Sequence, residues 1–221
     1  MNCYHLTPWF RAAAVGAVAA TSLTVGSLSA DPMWGDDEHR MELTSTSFTN
    51  GNPLPAANIY NASSPGSTYN VCSVTGAQGL DQSPQLAWKH APHNTRSFVV
   101  VAYDATASFT HWGMYNISPY TRMLPEGAGI AGSTYGSQVI NDFLDPSYDG
   151  PCPPAGVAPD VHHYVFTVYA LDIELKSLGS SNFPAYGETL YQALIKTALD
   201  GHILASAELV AHNQGSLPPP N

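Results

Sequence analysis

Apolar and polar positions alternate with different periods along the chain, and the periods divide it into elements. Met41 to Phe48 alternates at its start and ends, which predicts a first strand. Leu54 to Tyr69 is rich in Asn, Pro, Ser and Gly, with one short strand expected near Ile59-Tyr60. Leu86 and Trp88 lie two apart and share one face of a strand. Ser97 to Tyr103 (SFVVVAY) is a continuous β-branched and aromatic run, as in a strand buried on both faces. It ends at Asp104, a carboxylate at the close of a core strand. Thr110 to Ile117 is the next strand, with His111 at its entry, and Val165 to Asp172 (VFTVYALD) is another core strand. Only Glu188 to Leu199 has helical spacing, with Leu190, Leu194, Ile195 and Ala198 on one face and Gly201 as the stop. Ile203, Ala205, Ala207 and Leu209 then alternate as a last strand. Trp88, Phe98 and Phe166 are expected in the core, Trp112 and Tyr169 in the core or in a pocket wall. His90, His93, His202 and His212 are expected to be surface or locally satisfied groups.

Many strands, close turn signals and one late helix predict a mainly β protein. The expected fold is an antiparallel β-sandwich with one or two peripheral helices. The expected organisation is a leader over 1–30, a polar lead-in over 31–40, one domain over 41–213 and a proline-rich tail over 214–221. The leader reading rests on Arg11, an uncharged Ala12–Ala30 stretch and small residues at its end. It predicts cleavage near Ser29 or Ala30 and a periplasmic or secreted product, with no stable membrane span afterwards. The alternative is an uncleaved anchor, though Ser, Thr, Gly and Ala make this stretch a weak span.

Charge narrows the partners. Of 221 residues, 7 are Lys or Arg and 17 are Asp or Glu, a formal net charge of −10. Nucleic-acid binding needs clustered cations against phosphates and is excluded as a class. Three cysteines leave two, Cys72 and Cys152, once Cys3 departs with the leader. In an oxidising compartment a Cys72–Cys152 disulfide is expected, worth about 3–4 kcal/mol, with two free thiols as the alternative.

The remaining chemistry gathers at Gly150-Pro151-Cys152-Pro153-Pro154, a loop stiffened by three prolines and running on to His162-His163-Tyr164. A rigid loop carrying imidazoles before a buried strand suits a small polar ligand; a surface turn with two solvated histidines is the plainer reading. Four ordered segments decide between them. They are Ser83-Pro84 to Trp88, the VVVAYDATA run with Asp104, His111-Trp112 to Asn116-Ile117, and Gly150 to Pro154 with His162-His163-Tyr164 and Tyr169 to Asp172. Together these resemble the phosphatidylethanolamine-binding protein family, in its bacterial, kinase-inhibitor-like branch. The likeness spans Met41 to Asn213.

The resemblance implies antiparallel sheets packed face to face and a pocket for phosphate-like anions such as phosphate or phosphoethanolamine. Its residues would be Asp104, His111, Gly150, Pro153, Pro154, His162 and Tyr164, with Thr106, Phe109 and Trp112 as candidate walls. Two departures stand out. The family's Asp-Pro-Asp-Ala-Pro reads Asp104-Ala105-Thr106-Ala107-Ser108, and its His-Arg-Tyr reads His162-His163-Tyr164. Arg is a permanent bidentate cation, and His163 is neither at neutral pH. Asp104 is expected to raise a nearby histidine's pKa so that an imidazolium donates to the anion. No Gly-x-Ser-x-Gly elbow or HExxH motif occurs, so binding without catalysis, cofactor or metal is expected. The alternatives are a hydrolase using Asp104, His111 and His162, with or without a metal, and a role acting on an unknown protein partner.

Overall fold

The ladder-forming residues settle into two antiparallel sheets. The computed structural model describes residues 40–62, 67–180 and 184–216; the expected leader, nearly all of the lead-in and most of the tail lie outside them. The strands are β1 (Glu42–Thr44), β2 (Leu86–Lys89), β3 (Ser97–Asp104), β4 (Phe109–Ile117) and β5 (Met123–Leu124), followed by β6 (Ser137–Gln138), β7 (Val161–Leu171) and β8 (Ile203–Gln214). One α-helix, α1 (Gly187–Leu199), precedes β8, and a 3₁₀ turn covers Ala56–Asn58. The small sheet has the order β1-β2-β5 and the large one β6-β4-β3-β7-β8.

Alternation along the strands builds two cores. One face of the large sheet, with Phe98, Val100, Trp112, Met114, Phe166 and Val168, packs against Leu43, Leu86, Trp88 and Leu124 of the small sheet. Trp88 and Phe98 meet with ring centroids 5.1 Å apart. On the other face Val99, Tyr115, Val139 and Leu171 pack under Leu190 and Leu194 of α1. Trp88, Phe98 and Phe166 are core residues, as expected, and the mainly β, antiparallel fold stands.

Several local expectations change. β1 stops at Thr44 rather than reaching Phe48, because side chains take over its ladder: Ser45 Oγ donates to the Gln85 carbonyl, and Thr46 N–H donates to Gln85 Oε1 at 2.7 Å. The Ile59-Tyr60 strand is replaced by the 3₁₀ turn at Ala56–Asn58. The buried stripe of α1 is Gly187, Leu190, Leu194 and Thr197, while Ile195 and Ala198 face outward. Gly201 does end the helix, at φ +79°. β7 begins at Val161, four residues early, so both histidines lie on a strand rather than in the preceding loop. Among the described residues, no helix is long and apolar enough to cross a membrane.

Candidate ligand pocket

Register decides which side chains meet. On β3, period-two alternation puts Asp104 on the same face as Phe98, Val100 and Ala102. Asp104 is paired with Tyr164 of β7 on one side and with Phe109 of β4 on the other. His162, two residues before Tyr164, shares its face. His111 arrives by another route. Ala102 pairs with Trp112, but Tyr103 pairs with Thr110, so His111 is the extra residue of a bulge. Simple alternation from Trp112 would aim His111 at the helix side. The bulge turns it inward, and Thr110 takes the helix side, against Gly187, where a Cβ would stand 2.7 Å from Thr110 Oγ1.

The result is a cavity of about 300 Å³ lined by Asp104, Phe109, His111, Phe143, Pro153, Pro154, His162 and Tyr164, with Ala107 and Cys152. Asp104, His111, Pro153, Pro154, His162, Tyr164 and Phe109 thus come together. Three expected residues do not line it. Thr106 follows Asp104 in a tight turn, in which Thr106 N–H (2.8 Å) and Ala107 N–H (3.0 Å) both donate to Asp104 Oδ1. That turn carries Thr106 away from the cavity, and its hydroxyl accepts the His163 N–H at 3.0 Å. Trp112 is wholly buried in the core, with Nε1–H donating to Gln138 Oε1 at 2.7 Å. Gly150 lies behind the wall, where a Cβ would fall 2.5 Å from Asn58 O and Tyr60 N. Tyr169 belongs to the helix side of the sheet, and His163 is exposed there.

Phe143 was missed. It sits in an aperiodic segment, and only its partners reveal its role. It meets Phe109 at 4.9 Å, His111 at 5.5 Å and, in a stacked pair, Tyr60 at 5.1 Å. These rings, with Tyr164 edge-on to His111 at 5.2 Å, give the imidazole apolar walls.

The polar groups are already committed. Asp104 is 2% exposed, and its Oδ2 accepts the His162 Nδ1–H at 2.6 Å. With Oδ1 taking two backbone donors, the carboxylate is a hub that holds His162, not a free ligand contact. His111 Nδ1 lies 2.7 Å from the Asp149 carbonyl. A carbonyl only accepts, so Nδ1 carries the proton and Nε2 is left for the cavity. The same holds for His162. Burial pushes the His111 pKa down, outweighing the Asp149 carbonyl and the nearby Asp104 carboxylate, which push it up. The expectation that Asp104 makes a neighbouring histidine cationic therefore fails for His111. Tyr164 is driven far above its usual range by burial and then by Asp104, so it stays a phenol. No Lys or Arg among the described residues lines the cavity. Among the described residues, no group of three or more His, Cys, Asp or Glu side chains is disposed to hold a metal ion.

The loop is tied from behind. Cys152 is bonded to Cys72, 80 residues away in sequence. Gly150 N–H donates to Asp81 Oδ1 at 2.6 Å. Burial first, and the neighbouring Asp149 and Asp145, raise Asp81 to about 6, against the lowering effect of the Gly150 N–H. The fold holds this proton more tightly than the unfolded chain does. Its stabilisation is therefore full below the unfolded value near 3.9 and is lost as pH rises through about 6. Asp81→Asn keeps an acceptor for Gly150 and never ionises. It is expected to match the parent protein near pH 4 and to exceed its stability by about 1 kcal/mol at pH 7.5, a figure reduced because the residue is only partly buried. Urea unfolding at the two pH values checks this; equal stability at pH 7.5 refutes it.

Comparison with known proteins agrees with this fold. The family model described as Phosphatidylethanolamine-binding protein matches residues 44–214. The UPF0098 protein YbhB of Escherichia coli is 34% identical over 178 residues, 77% of this chain and 98% of its own. A UPF0098 protein of Aquifex aeolicus is 34% identical over 180 residues, 77% of this chain and 86% of its own. Among solved structures, E. coli YbcL, described as a new member of the mammalian PEBP family, superposes with a TM-score of 0.59 at 28% identity, covering 81% of this chain and 99% of its own. A phosphatidylethanolamine-binding protein homologue from Chlamydia trachomatis gives 0.57 at 31% identity, over 79% and 97%. The chain belongs to the phosphatidylethanolamine-binding protein family.

Proposed function

We propose that this chain is an exported binding protein whose cavity takes a small phosphate-like anion, such as phosphate or the phosphoethanolamine headgroup, without turning it over. The observation that carries this reading is the pair of imidazoles with Nδ1 spent on fixed protein acceptors and Nε2 left for one aromatic-walled cavity. His111, kept neutral by burial, offers an acceptor to a ligand P–OH or ammonium. His162, held through Nδ1 by Asp104, offers its Nε2 to the same ligand as a second polar contact. Rigid Pro153 and Pro154 keep the ordering cost of binding low. Any effect on a partner protein would follow from occupancy of this cavity.

Calorimetric titration with phosphoethanolamine at pH 8 tests the proposal. Saturable one-to-one binding is expected, and His162→Ala is expected to weaken it at least tenfold. No release of phosphate is expected from an aryl phosphate. Turnover that is lost in His111→Ala would replace this reading with a hydrolase, and absence of binding would end it.

A further inference from the structure

The large sheet carries a second recess on its other face, between β3, β7 and β8 and the flank of α1. It measures about 400 Å³, more than the pocket above. It exists because α1 covers only part of that face. The helix seats Leu190 and Leu194 on Val99, Tyr115, Val139 and Leu171, which leaves the sheet beyond it without a lid. The recess therefore keeps an apolar floor and wall, in which Val101 and Val165 face Leu190 and Leu194.

Its polar groups are of one sign. Asp142, Glu188 and Glu208 line it, and among the described residues no Lys, Arg or His does. The hydrogen-bond donors that meet these carboxylates are all neutral. Asp142 Oδ2 takes the Thr110 N–H at 2.6 Å, Glu188 Oε1 takes the Gln192 amide at 2.7 Å, and Glu208 Oε1 takes the Thr167 hydroxyl at 3.4 Å. Among the described residues, the ion pairs elsewhere in the fold include none of these three. Glu208 stands beside Thr167 in the β7–β8 ladder, and Tyr169 lies one step further along the same face. Tyr169 is pushed above its usual pKa by burial foremost, with Thr167 opposing and with Glu208 and Tyr191 adding to the rise, so these groups form one cluster. Aromatic faces beside uncompensated carboxylates attract a cation, and the apolar floor accepts its hydrocarbon body.

We propose that this recess binds an amphiphilic organic cation, an alkylammonium whose charged head meets Glu208, Tyr169 and Tyr191 while its chain lies over Val101 and Val165. The charge complementarity is local and also agrees with the net charge of −10. A free anion is repelled, and a neutral chain gains only the apolar part.

Three probes with the same six-carbon tail separate these contributions: hexyltrimethylammonium, 1-hexanol and hexanoate, titrated into the full chain and followed by amide NMR shifts. The cation is expected to shift Thr167, Gly187 and Leu190, with hexanol at least tenfold weaker and hexanoate silent. Glu208→Gln and Tyr191→Ala alter exposed side chains, and each is expected to weaken the cation about threefold to tenfold with the urea midpoint unchanged. Equal affinity for hexanol, an unchanged affinity in Glu208→Gln, or shifts confined to Asp104, Phe109 and His162 would each overturn the proposal. None of these outcomes depends on whether the other pocket binds phosphate.

Discussion

Asp104→Ala is expected to lower the free energy of unfolding by about 3–5 kcal/mol and to weaken phosphoethanolamine at least tenfold. The carboxylate is almost fully buried and accepts from three donors at 2.6, 2.8 and 3.0 Å. Its removal strands Thr106 N–H, Ala107 N–H and His162 Nδ1–H together. An unsatisfied buried donor costs about 1–3 kcal/mol, and water admitted through the cavity relieves part of the sum. Asp104→Asn separates the two jobs of the side chain. An amide has one acceptor oxygen, so it serves either the turn or His162, and its loss should be about half as large. Denaturant unfolding measures the stability, and titration of each folded variant measures the affinity. If Asp104→Ala unfolds within 1 kcal/mol of the parent protein, Asp104 is not the hub described here.

How far the site could be read from residues alone follows from the same geometry. The apolar run of β3 is visible in sequence and puts Asp104 at its end. The pattern predicts β7 only from Val165, so His162 and Tyr164 come to the pocket through the family likeness and not through a strand face. The long apolar run of β3, the helical spacing before Gly201 and the alternation after it predicted β3, α1 and β8, although Ile195 and Ala198 of the expected helix face are exposed. Two-residue strands such as β5 and β6 have too few positions to show a period, which hid the small sheet's edge and the partner of β4. A bulge leaves no period either. His111 belongs to the pocket only because one residue is inserted opposite Ala102 and Tyr103, and the family likeness, not alternation, pointed to it. Thr106, Gly150 and Trp112, the last expected in the core or in a pocket wall, do not line the cavity. Each is next to the cavity in sequence, and a backbone turn, a strand face or a close backbone contact sends each elsewhere. Phe143 was hidden because an aperiodic segment says nothing about which way its side chains face.

Removing the disulfide with Cys72→Ser and Cys152→Ser together is expected to lower stability by about 2–5 kcal/mol and yet to weaken phosphoethanolamine less than tenfold. The two effects differ because they act on different states. The bond closes an 80-residue span, so its main action in the chain-entropy picture is to shrink the unfolded ensemble. In the folded chain the same loop has other restraints. Gly150 N–H is held by Asp81, Asn213 Nδ2 donates to the Cys72 carbonyl at 2.8 Å, and Ser216 N–H donates to the Val71 carbonyl at 3.0 Å. Gly215 packs so closely under the loop that a Cβ there would lie 2.2 Å from the Pro153 carbonyl oxygen. Pro153 and Pro154 should therefore keep the cavity's shape without the sulfur bridge, as long as the chain is folded. Thermal and urea unfolding of the double variant, with titration at a temperature where it stays folded, separates the two effects. A stability change below 1 kcal/mol would mean that the bridge does not restrain the unfolded chain. A collapse of affinity in the folded variant would mean that the bridge, rather than the network around Gly150 and Gly215, shapes the pocket wall.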